Sequence, residues 1–368
     1  MGCCGRPVRE STIGVEMNVL SLFDGMSCGQ LALQRADVHY DNYFASEIDK
    51  YAIKITQKNF PNTIQLGDIN NWIDWNLPQI DLLIGGSPCQ GFSVAGQGLN
   101  FSDPRSQLFF RFVDCLKWYK PKWFLLENVK MKKEWQNIIS EYLGVEPIEI
   151  NSALVSAQSR KRLYWTNIPN IIQPGNKGIF LRDIIENGEV DRDKSYCIDA
   201  NYFKGGSLKM YLEKSKRQIV NLPFHQSEKR LMVKTIPHGY IKEEIKERDK
   251  YPSLVGQDSS TKYVIRCIQT GIADINAIDI INRTYDVEGK SPALTSMQGG
   301  HREPKITVSR TTWRKLTPLE CERLQTAPDN YTEGVSNTQR YKMIGNGWTV
   351  DVIAHIFSFI PESLLELK

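Results

Sequence analysis

From Asn18 to about Ile172, short apolar runs recur along the chain, and stretches with helical spacing separate them. Val19–Phe23 predicts a first strand, followed by a glycine-containing turn and a helix over Gln30–Arg35. Tyr43–Ser46 predicts a second strand, with a helix over Lys50–Asn59; Thr63–Leu66 predicts a third strand and Asp81–Ile84 a fourth. Pro104–Tyr119 has a helical period that places Leu108, Phe112, Cys115 and Leu116 on one face, and Trp123–Leu126 predicts a fifth strand. Wholly apolar strands alternating with helices belong to a parallel sheet covered on both faces, so the fold class expected is α/β.

After Pro174 the helical period fades. Lys, Gly and Ser become frequent, with short β-like pieces at Tyr263–Ile268 and Lys305–Val308. This stretch, to roughly Thr312, reads as a second, smaller and irregular β-rich domain. Regular patterning then returns. Thr317 is placed to cap a helix, with Pro318 at its first position and Glu320 at its third. A last amphipathic helix, about Val350–Ile360, is expected to pack back on the first sheet. No internal repeat is found.

The chain has 368 residues, 41% hydrophobic and 24% charged, an ordinary globular composition. No apolar run reaches the roughly 18 residues of a membrane span, so no membrane partner is expected. Val350–Ile360 is too short and is broken by Asp351 and His355. The eight cysteines and five histidines form no CxxC or CxxH pair, so no metal site is expected and the cysteines read as reduced in a cytoplasmic setting. Net charge is only +4, but residues 201–250 carry twelve Lys/Arg against six Asp/Glu. Residues 1–16 read as a disordered extension ahead of Met17, and Arg6 stands where a myristoylation signal wants Ser or Thr.

Candidate chemistry begins at Phe23-Asp24-Gly25-Met26-Ser27-Cys28-Gly29, between the first strand and its helix. Glycines there permit a tight turn and close approach to a ligand. Glu47 ends the second strand 18 positions after Gly29, the usual offset for a carboxylate that grips ribose hydroxyls. Asp68 ends the third strand and could accept from an adenine amino group. The spacing is not the dinucleotide G-x-G-x-x-G, and Asp24 would repel a pyrophosphate, so a cationic adenosyl ligand fits better than a nicotinamide dinucleotide.

The fourth strand runs into Gly85-Gly86-Ser87-Pro88-Cys89-Gln90-Gly91-Phe92-Ser93, and the fifth into Glu127-Asn128-Val129. If the first, fourth and fifth strands are neighbours, a thiol, a carboxyl group and an adenosyl site converge on one crevice at the carboxyl ends of the strands. A thiolate adding to carbon 6 of cytosine makes carbon 5 enamine-like and able to take a methyl group. Proton donation at N3 by Glu127 would assist. In a strand, Arg160 and Arg162 of Gln158-Ser159-Arg160-Lys161-Arg162 would point the same way, towards the base oxygen and flanking phosphates.

Together these pieces resemble the DNA (cytosine-5) methyltransferase family, in its order: Phe23-Asp24-Gly25, Glu47, Gly67-Asp68, Pro88-Cys89-Gln90, Glu127-Asn128-Val129 and Gln158-x-Arg160-x-Arg162, then Arg314–Gln325 and Gly345–Val350. The resemblance runs from about Met17 to Ile360. It implies a Rossmann-like S-adenosylmethionine-dependent methyltransferase fold acting on double-stranded DNA, with the target cytosine flipped out of the duplex. Catalytic roles fall to Cys89, Glu127, Arg160 and Arg162. Cofactor binding falls to Phe23, Asp24, Gly25, Gly29, Glu47, Ile48, Asp68, Ile69, Pro88, Asn346 and Trp348, and substrate binding to Gln90, Ser93, Asn128 and Gln158. The implied domains are 17–175 for catalysis and cofactor, 176–313 for target recognition, and 314–368 returning to the first. The reader would include Pro292–Thr295 and Gln298–Arg302, and its basic excess would meet phosphates.

Ser87-Pro88-Cys89 departs from the Pro-Pro-Cys of many bacterial members, and Gly347-Trp348 from their small residue and valine; both are similar to the mammalian de novo enzymes. Without room for chromatin-reading domains, the chain reads as a compact prokaryotic or phage enzyme of the bacterial or infected-host cytoplasm. A restriction endonuclease acting separately is a candidate companion. The competing readings are a tRNA cytosine-5 methyltransferase on the same scaffold and a DNA-binding relative with a dead site. The large variable region speaks against the first, and the intact Cys89, Glu127, Arg160 and Arg162 against the second.

Overall fold

A computed structural model of the protein describes residues 17–87, 104–204, 211, 214–223, 246–248, 265–267, 284–286, 305–307 and 311–361. Its centre is a seven-stranded sheet of β1 (Asn18–Leu22), β2 (Asn42–Ser46), β3 (Ile64–Gln65), β4 (Leu82–Gly85), β5 (Trp123–Val129), β6 (Ile148–Asn151) and β7 (Lys161–Thr166). The order is β3-β2-β1-β4-β5-β7-β6, and β7 runs antiparallel to both its neighbours while the other pairings are parallel. The first, fourth and fifth strands are therefore neighbours, as the crevice argument required. Strand order reverses on either side of β1, and in such sheets ligands sit outside the carboxyl ends at that point.

Alternation along the strands sorts their side chains into two layers. Val19, Tyr43, Ala45, Leu82, Ile84, Leu125 and Tyr164 join one core, with Leu31, Ala32 and Leu33 of α1 (Cys28–Arg35) and Ile55 of α2 (Lys50–Asn59). Leu20, Leu22, Phe44, Leu83, Phe124, Leu126 and Trp165 join the other, under α3 (Pro104–Tyr119) and α4 (Lys133–Leu143). Helices on both faces explain why the strands read as continuous apolar runs. In α3 the buried side runs through Phe109, Phe112, Val113 and Cys115. Helix α4, absent from the sequence reading, ends on Gly144 at φ 72°, a left-handed cap that glycine adopts without strain.

Beyond β7 the chain keeps to the first core. Leu181 and Ile184 of α5 (Leu181–Ile184), then Ile198, Tyr202 and Val220, are buried in it. Val220 lies on β8 (Ile219–Pro223); β9 (Lys246–Arg248) pairs with β10 (Ile265–Cys267), and β11 (Thr284–Asp286) with β12 (Lys305–Thr307). The chain returns on β13 (Thr311–Lys315), antiparallel to β8 with Thr311 opposite Pro223. Helix α6 (Pro318–Leu324) then begins with the expected reciprocal cap, in which Thr317 and Glu320 bond each other's backbone. Helix α7 (Asn337–Asn346) precedes α8 (Val350–Phe357), which packs on α1.

Candidate active site

The loop after β1 is wound tightly. Phe23, Gly25 and Ser27 all have positive φ, at 59°, 61° and 62°. For Phe23 and Ser27 that is a costly conformation, and the surroundings hold it. Glu47 Oε2 accepts from the Gly25 amide at 2.8 Å, and the Asp24 amide donates to Ser46 O at 3.1 Å. Tyr331, beyond α6, donates its hydroxyl to Met26 O at 2.6 Å. Asp24 itself points inward. Tyr43 donates to its Oδ1 at 2.7 Å, while Oδ2 is sealed from solvent without a hydrogen-bond partner among the described residues. Burial pushes the Asp24 carboxyl up to about 6, against the lowering effect of the neighbouring Ser21, Tyr43 and Ser27 hydroxyls.

At the ends of β2 and β3 stand the other expected ligand residues. Glu47 Oε1 takes the amides of Ile48 and Asp49, and the Ile48 side chain is 74% exposed. Asp68 caps a short 3-10 turn through Asn70. Ile69 is buried in the second core. Trp348 spans the ends of β1 and β4. A Cβ placed on Gly29 would lie 3.8 Å from Trp348 Cζ3, and one on Gly86 would lie 2.8 Å from Trp348 Nε1 and 3.3 Å from Glu127 Oε2. Gly86 is therefore needed for the indole to lie this close, whereas a Cβ on Gly29 would clash instead with Ile84 Cδ1 at 2.5 Å and the Tyr43 hydroxyl at 2.6 Å. Asn346 is exposed at the end of α7.

Glu127 near the end of β5 is 8% exposed, and Arg162 Nε meets its Oε1 at 2.9 Å. The cross-strand register puts Glu127 opposite Tyr164 and Val129 opposite Arg162, so the pair is set by the β5–β7 ladder. Burial alone would lower the Arg162 pKa; Glu127, with Cys197 and Tyr164, more than offsets it, and the guanidinium is held above its usual range. Asn128 donates to Ser87 Oγ at 3.1 Å and so braces the residue that precedes Pro88 and Cys89 in the sequence. Pro88, Cys89, Gln90 and Ser93 lie outside the described residues, as do Pro292–Thr295, Gln298–Arg302 and the extension 1–16.

The sequence profile of the C-5 cytosine-specific DNA methylase family matches residues 17–362. The chain belongs to this family. The orphan methyltransferase M.SPRI of Bacillus phage SPR is 28% identical, over 93% of this chain and 97% of that protein. The type II methyltransferase M1.ScrFI of Lactococcus lactis subsp. cremoris is 29% identical, over 95% and 78%. Two solved structures share the fold: the Entamoeba histolytica methyltransferase EhMeth, with a TM-score of 0.54 at 17% identity, and the S. pombe Dnmt2 methyltransferase, with 0.53 at 15%. Each comparison covers 95% of this chain and 99% of the other.

Within this cytosine-5 methylase the two arginines expected to act together are parted. Arg162 meets Glu127, whereas Arg160, 5% exposed, donates to the main-chain carbonyls of Ile198, Gly345 and Gly347. Gln158 is fully buried; it accepts from the Ile198 amide and donates to Leu324 O and Gln325 Oε1. Gln325 in turn donates to Ile344 O and Gly347 O and accepts from Thr349. Sequence reading missed Gln325 as a hub. It is a fully buried polar side chain at the residue that closes α6. Gly345 passes so close to the 199–200 backbone that an added Cβ would lie 2.3–2.5 Å from Asp199 C, Asp199 O and Ala200 N. Gly345→Ala is therefore expected to destabilise by about 1–3 kcal/mol, since backbone cannot yield as a side chain does. A thermal midpoint equal to the parent's would contradict this.

Proposed function

We propose that the protein is a site-specific DNA (cytosine-5) methyltransferase that uses S-adenosylmethionine and attacks a flipped-out cytosine of duplex DNA through Cys89. The observation that carries the reading is the Glu127–Arg162 ion pair at the end of β5, separated from β1 and its Asp24 loop only by β4, which leads to Ser87 and on to Cys89.

The residues present fit such a cofactor. Asp24 offers a buried, unpartnered carboxylate oxygen to a cation. Glu47 uses three of about four acceptor positions on backbone amides, leaving one for a ribose hydroxyl. Ile48 presents apolar surface to a flat base, and Asp68 would take the adenine amino group. When bound, the cofactor supplies an electrophilic methyl group. Cys89 adds as thiolate to carbon 6, Glu127 gives a proton to N3, and Arg162 holds Glu127 and the base oxygen. Loss of the carbon 5 proton to water and return of the N3 proton to Glu127 then let the Cys89 sulfur leave as thiolate. The reader is placed within 176–313, with its root over 181–220 anchored in the catalytic core. Its basic stretch supplies phosphate contacts.

The test is methylation sequencing of DNA from cells expressing the protein. A single short motif carrying 5-methylcytosine is expected; methylated RNA with unmethylated DNA would overturn the DNA reading. Asp24 gives a second check. Its folded-state pKa, about 6, lies above the ordinary 3.8, so ionising it opposes folding. Ligand-free stability is then full below pH 4 and falls as pH rises through 6, by about 3 kcal/mol. Asp24→Asn is expected to remove that fall, raising the thermal midpoint at pH 8 while weakening S-adenosylmethionine. Weaker binding without added stability would show that the carboxylate bears no such cost.

A further inference from the structure

Arg160 joins two parts of the chain that no strand connects. Its Nη1 donates to Ile198 O at 3.0 Å and lies 3.3 Å from Cys197 Sγ. Its Nη2 donates to Gly347 O at 3.0 Å and Gly345 O at 3.3 Å. Only Nε lacks an acceptor among the described residues.

On one side, Ile198 belongs to the root of the variable region. That root is zipped to the Arg160 segment: Ser195 N donates to Ala157 O at 2.7 Å, Ser159 N to Ser195 O at 3.0 Å, and Ile198 N to Gln158 Oε1 at 2.8 Å. On the other side, Gly345 and Gly347 set the turn into Trp348. Gly347 is already pressed against the cofactor loop, since an added Cβ would lie 3.0 Å from Met26 Cε and 3.2 Å from Cys28 Sγ. The indole beyond it covers Gly29 and reaches the Gly86–Glu127 corner.

We infer that Arg160 is a positioning residue: a buried strut between the root of the DNA reader and the Trp348 wall, which fixes that wall's depth between the methyl-donor site and Glu127. The inference rests on the cofactor reading given above. A planar fork can hold carbonyls on two sides at once, whereas a lysine ammonium at the end of a flexible stem cannot. The loss in Arg160→Lys should therefore fall first on the donor. Removing one or two such bonds corresponds to about a tenfold change in affinity.

The experiment uses the full chain and S-adenosylmethionine alone, titrated calorimetrically, beside steady-state kinetics on unmethylated DNA. In Arg160→Lys, Kd and KM for the donor are expected to rise about tenfold, with a smaller change in kcat. Hydrogen exchange of the wild-type protein supplies a reading that does not depend on the variant's folding. Adding the donor should slow amides 345–348 and also 195–199, on the far side of Arg160. A fall in kcat with donor affinity unchanged would overturn the strut and put Arg160 on the base. Slowing confined to 345–348 would overturn it as well. A wild-type protein that does not bind S-adenosylmethionine would instead remove the proposed cofactor, and the inference with it.

Discussion

Cys89→Ala protein is expected to transfer no methyl groups while retaining DNA binding. Carbon 5 of cytosine is a poor nucleophile within an aromatic ring, and no residue can activate it except by adding to carbon 6. The alanine variant keeps the Asp24 loop, Glu127 and the proposed reader, so binding is expected to survive and chemistry is not. The expected loss reaches background, larger than for any other single change here. A single-turnover assay with labelled methyl donor measures transfer, and a filter-binding assay of the same preparation measures DNA affinity. Residual methylation above background would remove Cys89 from the covalent role.

Glu127→Gln is expected to slow transfer by about 100- to 10,000-fold, the range typical of acid–base groups. The amide has the same shape and can still hydrogen-bond N3, but it has no proton to give. Arg162 also loses its carboxyl partner at 2.9 Å, in a place where the two side chains are 14% and 11% exposed. Breaking such a pair costs stability as well, so the thermal midpoint should be measured beside the rate. A wild-type rate in a folded variant would exclude Glu127 from proton transfer. A slow rate accompanied by loss of folding would be read only after repeating the assay below the variant's midpoint.

Within one strand or one helix, the sequence was a sufficient guide. Apolar runs marked β1, β2, β4 and β5 to within a few residues, because strands buried on both faces carry few polar positions to blur them. β3 shrank to Ile64–Gln65, and β5 ran on to Val129, past the Glu127-Asn128 pair. The α6 cap was legible because Thr317, Pro318 and Glu320 act on one another across three residues. Glu47 was legible from its offset, since β2 and the loop after β1 lie side by side in any such sheet. Helices α4 and α7 were not read. Each is held by packing against the sheet or by α6 rather than by its own sequence, and Gly345 near the end of α7 lies in close contact with the 199–200 backbone.

What the sequence by itself determined was the α/β alternation, the order of chemistry-bearing segments and the identity of the residues that could react. What only the tertiary structure decided was partnership. Arg160 and Arg162, two apart and alike in charge, part company: one ends on backbone carbonyls from Ile198, Gly345 and Gly347, the other on Glu127. Gln158, a candidate for the substrate, is spent inside with Leu324, Gln325 and Ile198. The physical reason is that a long polar side chain bonds whatever the fold brings within about 3 Å of its end. For these residues those partners come from segments up to 187 positions away. Spacing along the chain fixes which face of a strand a residue occupies, but not which distant carbonyl or carboxylate will be waiting there.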